Sequence, residues 1–291
     1  MSVPTMYHLI LERLSRHLPP RVPEPELIMH DPSQTAAFME AGRENGILAF
    51  IYFYHALQIT PVVRNGDRVL DLACGPANQL AQIALLNPLA HFVGLDASAN
   101  MLDQARATLA RLGVGNVALV SGDMTRLTGI DSFSMDCVIC TMSLHHLPDL
   151  EALSSTMCEV RRVLKPGGGL YFVDFGRLKR ASTQRFFAED QRDRQPAQFT
   201  QDYLNSLKAA FSVAELSNAV AVLGPDVARH VTALAPFMVV FKSADRRELD
   251  AATRQLAREL YRRMSMEQQK SFQSFARWFR AGGYDLPCTL T

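Results

Sequence analysis

The segment Arg68 to Ser98, RVLDLACGPANQLAQIALLNPLAHFVGLDAS, constrains the fold of this chain more than any other. An apolar run carries Asp71 near its end and leads into the turn Ala73-Cys74-Gly75-Pro76-Ala77. A second apolar run ends in Asp96. Continuous apolar runs without polar alternation belong to parallel strands buried on both faces. With the helical pattern between them they form a strand–loop–helix–strand unit, which sets carboxylates at the carboxyl ends of neighbouring strands. Ligands of open α/β sheets bind at those ends, and an acid closing the second strand commonly holds a ribose.

The alternation continues downstream. Val69–Leu72, His91–Leu95, Val117–Val120, Cys137–Cys140 and Leu170–Phe175 read as buried parallel strands, with helices near Gln79–Leu86, Ala99–Leu112 and Leu150–Leu164. LKPGGG at Leu164–Gly169 is expected to stop a helix and turn the chain into the next strand. Two further runs, near Arg229–Leu234 and Phe237–Lys242, are expected to finish the sheet as an antiparallel pair. Ser212 and Glu215 form a capping box for a helix through Val220. Before this region a helix near Thr5–Leu18 is cut by PPRVPEPE, and a second runs from Ser33 through HALQ. From Asp245 a charged amphipathic helix or helix pair follows. The division expected is a helical cap over 1–65, a ligand-binding domain over 66–243 with a lid-like insertion at 176–211, and a helical extension over 244–291.

Composition narrows the function classes. The 291 residues are 48% hydrophobic and 20% charged, with a net charge of +1, so no basic footprint for nucleic acid is present. No apolar run reaches membrane-spanning length, and the first twenty residues read as an amphipathic helix, not a signal peptide. Five cysteines, an odd number without scaffold spacing, fit a reducing cytoplasm. Cys74, Cys137, Cys140, Cys158 and Cys288 include no pair with metal-like spacing in an exposed loop, so thiol-metal chemistry is not expected and no metal site is assigned.

The turn after the first strand discriminates between nucleoside cofactors. A dinucleotide fold needs G-x-G-x-x-G to bring amides against a pyrophosphate. This turn has one glycine, and Pro76 removes an amide. A cofactor without phosphates needs no such cradle. The blocks DLACG, GLDAS, SGDM (Ser121–Met124), MDCVICTMSLHHLPD (Met135–Asp149) and RRVLKPGGGLYFVDF (Arg161–Phe175), in that order and spacing, resemble the class I S-adenosylmethionine-dependent methyltransferases. The resemblance implies a doubly wound, mostly parallel, seven-stranded Rossmann-like sheet with helices on both faces, and S-adenosylmethionine (SAM) as cofactor. It implies that Asp71, Ala73 and Gly75 form the first cofactor loop beside the methionine tail. Asp96, with Ala97 beside it, would accept the ribose hydroxyls. Asp123 would take the adenine amino group and the Met124 amide a ring nitrogen, while Thr141 and Ser143 would line the floor beside the sulfonium. The chain departs from the family pattern at Ala77, where a third glycine is usual.

Methyl transfer from a sulfonium is an in-line displacement with an activated donor, so catalysis rests mainly on positioning. A base is needed only for an acceptor that arrives protonated. His145 and His146 follow the fourth strand and are candidate bases; Asp174 near the end of the fifth is a candidate substrate contact. In such families an N-terminal helix often covers the site, which makes Tyr54 a catalytic candidate and Tyr52 a substrate-binding one within the aromatic cluster Phe50–Tyr54. The expected partner is a small-molecule acceptor, with neither nucleic acid nor membrane, and the C-terminal helices are a candidate homodimer interface. A macromolecular acceptor and a non-catalytic binding role are the alternatives.

Overall fold

The computed structural model describes residues 2–26 and 32–290. Among them seven strands form one sheet: β1 (Arg68–Leu72), β2 (His91–Asp96), β3 (Val117–Ser121), β4 (Met135–Thr141), β5 (Leu164–Phe175), β6 (Ala228–Val231) and β7 (Met238–Lys242). Their order is β3-β2-β1-β4-β5-β7-β6, with β7 antiparallel to both β5 and β6. The runs expected as strands all lie in the sheet, and the last two pair antiparallel as expected. Burial follows position. Val69, Leu70, Val138 and Ile139 on the central strands are fully buried, whereas edge strands β3 and β6 are largely open. The register aligns Leu72 with Leu95 and with Cys140, and Thr141 with Val173, so four carboxyl ends meet at one edge. Between β1 and β4 the strand order reverses direction, which leaves a crevice at that edge.

Eleven helices surround the sheet among the described residues. Before it come α1 (Val3–Leu14), α2 (Pro32–Gly42) and α3 (Ala49–Ile59). The crossovers use α4 (Asn78–Leu86), α5 (Ala99–Leu112) and α6 (Leu150–Val163). After β5 come α7 (Ala181–Glu189), α8 (Ala197–Ala209) and α9 (Val213–Val220), the last opened by the Ser212–Glu215 capping box, and after β7 come α10 (Ala251–Arg263) and α11 (Met266–Ala281). The helix expected to run unbroken from Ser33 to Gln58 is instead two, α2 and α3. The break is at Gly46, whose amide donates to Arg43 while Leu48 donates back to Ala41. A Cβ at Gly46 would lie 2.2 Å from the Ala41 carbonyl oxygen, so the chain can double back over the end of α2 only because this residue is glycine.

LKPGGG also differs from expectation. Leu164 already pairs with Met135, and the pairing resumes at Gly169 with Cys137, so Pro166 and the glycines form a bulge within β5 and not a separate turn.

The C-terminal pair covers α3. Tyr54 stacks on Phe279 with centroids 5.0 Å apart, Phe53 meets Phe272 and Phe50 meets Phe275. Arg246 pairs with Asp67, and Arg247 donates to the Val63 carbonyl and to Asn87, clasping the chain to the amino end of β1. The apolar face of α11 is therefore spent on packing within the chain. No single helix among the described residues is long and apolar enough to cross a membrane.

Candidate active site

At the crevice the chain encloses a cavity of about 500 Å³, within the range of small-molecule sites. Asp71, Ala73, Gly75, Asp96, Ala97, Asp123, Met124, Thr141 and Ser143 all line it. The loop after β1 bends towards β2, with the Cys74 amide donating to the Leu95 carbonyl at 2.8 Å. Two amides clamp Asp96, Gly75 on Oδ2 and Ser98 on Oδ1, each at 2.8 Å. Left-handed backbone concentrates here: φ is +58° at Ala73, +53° at Gly75, +59° at Ala77 and +52° at Met142. Alanine at 77 thus takes the conformation that the usual glycine adopts at less cost, and the turn keeps its path into α4. Strain of this kind gathers where a ligand loop must hold one shape.

Two of the acids at the strand ends, Asp71 and Asp96, are buried at an electrostatic cost. Burial and the neighbouring Asp96 carboxylate push the Asp71 carboxyl well above its ordinary range, and its Oδ1 has no hydrogen-bond partner. Burial also raises Asp96, although the Ser98 and Gly75 amides pull against it. Asp123 accepts the Thr125 amide at 2.8 Å. A ligand carrying a positive charge and several N–H or O–H donors would relieve Asp71 and Asp96 at once.

A second polar group sits across the cavity. Nδ1 of His145 lies 2.7 Å from Asp174 Oδ1, and the His145 amide donates to Oδ2 at 3.0 Å, so both oxygens of Asp174 hold one residue. This fixes the ring and leaves Nε2 as the free nitrogen. Next to it, Nδ1 of His146 pairs with Glu24, whose other oxygen accepts the Ser206 hydroxyl at 2.7 Å. Glu24 belongs to the segment between α1 and α2. Three residues earlier Arg21 donates to the carbonyls of His145, Leu147, Pro148 and Ala209 and lies 4.0 Å over the Phe211 ring. The segment is thus a strap tied to the loop after β4 and to α8. Ligand-capable atoms of Glu24, His145 and His146 lie within 4.8 Å of one another. Asp174, the Glu24–His146 pair and Ser206 account for this cluster as a hydrogen-bonded network.

Residues 69–168 match the family of methyltransferase domains. That stretch runs from β1 to the bulge of β5 and is the part of the chain similar to this family. Demethylmenaquinone methyltransferase of Listeria monocytogenes is 36% identical over 113 residues, 38% of this chain and 46% of that protein. The chain spans less than half the length of the curated relatives it matches. Two solved structures share the fold. A SAM-dependent methyltransferase from Aquifex aeolicus is 17% identical with TM-score 0.52, over 74% of this chain and 98% of that one. The plantazolicin methyltransferase BpumL in complex with SAH is 15% identical with TM-score 0.55, over 73% and 91%.

Around this domain the structure distributes the remaining candidates unevenly. His145, His146 and Tyr52 line the cavity. Tyr54 does not: it is fully buried against α11, its hydroxyl accepting from Gln58, so it cannot take the catalytic role expected from the aromatic cluster. Two residues along a helix rotate by about 200°, which turns Tyr52 and Tyr54 to opposite sides of α3. Asp174 is likewise absent from the cavity wall, being buried beneath His145, so the substrate contact expected of it is replaced by a hold on the imidazole. Reading the sequence missed Glu24, Arg21 and Ser206, as well as Phe38, Phe199 and Tyr203, which also line the cavity or bind the strap. PPRVPEPE carried the one available signal, since a proline-rich segment that cannot be helical must cross a surface extended.

The strap has a pH signature. Burial raises the Glu24 carboxyl, but the His146 bond and charge outweigh it and bring the pKa down to about 2. A depressed acid contributes stability that is complete above its unfolded pKa, near 4.3, and is lost as pH falls towards the folded value. Glu24→Gln should remove on the order of 3 kcal/mol of the acid dependence between about pH 4.5 and 2. Thermal melting across that window checks this, and identical slopes for the variant and the parent chain would contradict it.

Proposed function

We propose that this chain transfers the methyl group of SAM to a small-molecule acceptor. The observation that carries the reading is the pair of buried acids, Asp71 and Asp96, at the ends of β1 and β2 in a cavity whose loop lacks a phosphate cradle. Bound there, SAM would supply an activated methyl group on a cationic sulfur. Asp71 Oδ1, without a partner of its own, suits the ammonium of the methionine tail. Each oxygen of Asp96 accepts one amide and keeps a lone pair for a ribose hydroxyl. Asp123 and the Met124 amide would meet the adenine, and Thr141 and Ser143 would border the reacting methyl. With all five cysteines free, we infer a reducing, cytoplasmic setting.

Asp96→Asn keeps the shape and removes the charge. Calorimetry should find SAM binding weakened about 100-fold, the loss of a charged bidentate acceptor. Unchanged affinity would overturn the site assignment. In parallel, tritium from labelled SAM incubated with a cell extract should appear in the small-molecule fraction; label in polymer would point to a macromolecular acceptor.

For an acceptor that arrives protonated, His145 is the base, acting through Nε2, and Asp174 is its positioning residue. The groups facing the ring are Asp174 on β5, Glu24 and Arg21 on the strap, and the adjacent His146. Burial pulls the imidazole pKa down and Arg21 adds to that, but Asp174 and Glu24 more than offset it, leaving it above 6.5. The base form therefore grows as pH rises, and turnover should climb with a midpoint above 6.5. Asp174→Asn should shift that midpoint downwards and reduce the maximum rate, since it loses the carboxylate that orients the ring. A profile flat from pH 6 to 9, or unmoved by the substitution, would remove His145 from the role.

A further inference from the structure

Five rings form an unbroken series along one side of the cavity, and all five line it. Phe38 on α2 and Phe199 on α8 have centroids 6.5 Å apart, and Phe199 and Tyr203 lie at 6.1 Å. Tyr203 and Phe175, at the end of β5, lie at 5.6 Å, and Phe175 and His145 at 5.4 Å. Successive rings tilt by only 30°, 46°, 38° and 49°. The wall is therefore gently curved, unlike the mutually perpendicular faces that would box in a cation. It begins at α2 and ends on the imidazole whose Nε2 is free.

We propose that the acceptor is a flat, hydroxylated aromatic ring system, a phenol of one or two fused rings. It lies along this wall with its hydroxyl at His145 and is methylated on oxygen. This rests on the methyl-donor reading above. Three observations select this class. Aromatic faces in series favour offset stacking with another flat ring over an aliphatic chain. At the reacting end the carboxylates are turned to the histidines: Glu24 pairs with His146 and accepts Ser206, while Asp174, off the cavity wall, holds His145 through both oxygens, so the nitrogen presented to the acceptor is that of an imidazole. A phenol, with an ordinary pKa near 10, arrives protonated and needs the base that an aromatic amine, a free base at neutral pH, would not. In the reaction the phenolic proton passes to His145 Nε2 and an oxygen lone pair forms the bond to the methyl carbon. The carbon–sulfur bond breaks with its electron pair on sulfur. The products are an aryl methyl ether, S-adenosylhomocysteine, and an imidazolium that returns its proton to solvent.

The test uses the full chain with three probes: 1-naphthol, its saturated counterpart decahydro-1-naphthol, and 1-naphthylamine. Binding is measured calorimetrically with the chain saturated in S-adenosylhomocysteine, and transfer is measured with labelled SAM. 1-Naphthol should bind at least tenfold tighter than the saturated alcohol, and the label should reside in the methyl ether. Phe199→Leu and Tyr203→Leu should each weaken naphthol binding about fivefold while SAM affinity and the melting temperature stay near those of the parent chain. Equal binding of the saturated alcohol, preferential methylation of the amine, or wall variants without effect would overturn the proposal. Transfer abolished by a chelator and restored by zinc would also overturn it, because a metal at Glu24, His145 and His146 would then occupy the base. If SAM itself fails to bind, the donor reading falls and takes this one with it; if SAM binds but naphthol neither binds nor reacts, only the acceptor assignment fails.

Discussion

Burying Asp71 and Asp96 side by side is the constraint around which the rest of the structure is arranged. Their charges repel in a low dielectric, and one oxygen of Asp71 has no partner. Because the folded chain holds protons on these groups more tightly than the unfolded chain does, the ligand-free fold loses stability as pH rises from about 3.9 through the raised pKa values. A fold tolerates this where a ligand offsets it. Everything near the pair serves to hold it in place: the parallel register that aligns β1 with β2 and β4, the left-handed loop residues, and the amides clamped on Asp96.

The second half of the site is assembled from parts of the chain that lie far apart in sequence. Asp174 on β5 sets the tautomer and angle of His145. Arg21, from the N-terminal strap, fixes the backbone of the loop carrying it through three carbonyls of that loop. Glu24 holds His146 and reaches Ser206 on α8, so α8 and its aromatic residues are fixed relative to the histidines by the same strap. Donor end and acceptor end thus depend on different elements. The sheet organises the first, and the strap with α2, α3 and α8 organises the second.

This division explains what could be read from the sequence. The sheet is built from local patterns, apolar runs closed by an acid or a turn, and so the strand runs, the crossover helices and the nine cofactor candidates could be located from Arg68 to Phe175. The acceptor side depends on packing between distant segments, which local periodicity does not encode. Tyr52 and Tyr54 were indistinguishable in an aromatic cluster until α11 claimed one face of α3. Asp174 looked like a substrate contact because the sequence does not show that His145 lies above it. The break at Gly46 was hidden because a single glycine in a helical pattern is tolerated unless a carbonyl approaches, and here that of Ala41 does.

The central claim is that a cationic cofactor relieves the buried acids. Calorimetry of SAM binding in buffers of different ionisation enthalpy, at mildly acidic pH, measures this directly. Binding should release protons, because the sulfonium and ammonium favour the ionised carboxylates, and the release should shrink in Asp71→Asn. Binding with no net proton release, or with the same release in the variant, would contradict the account.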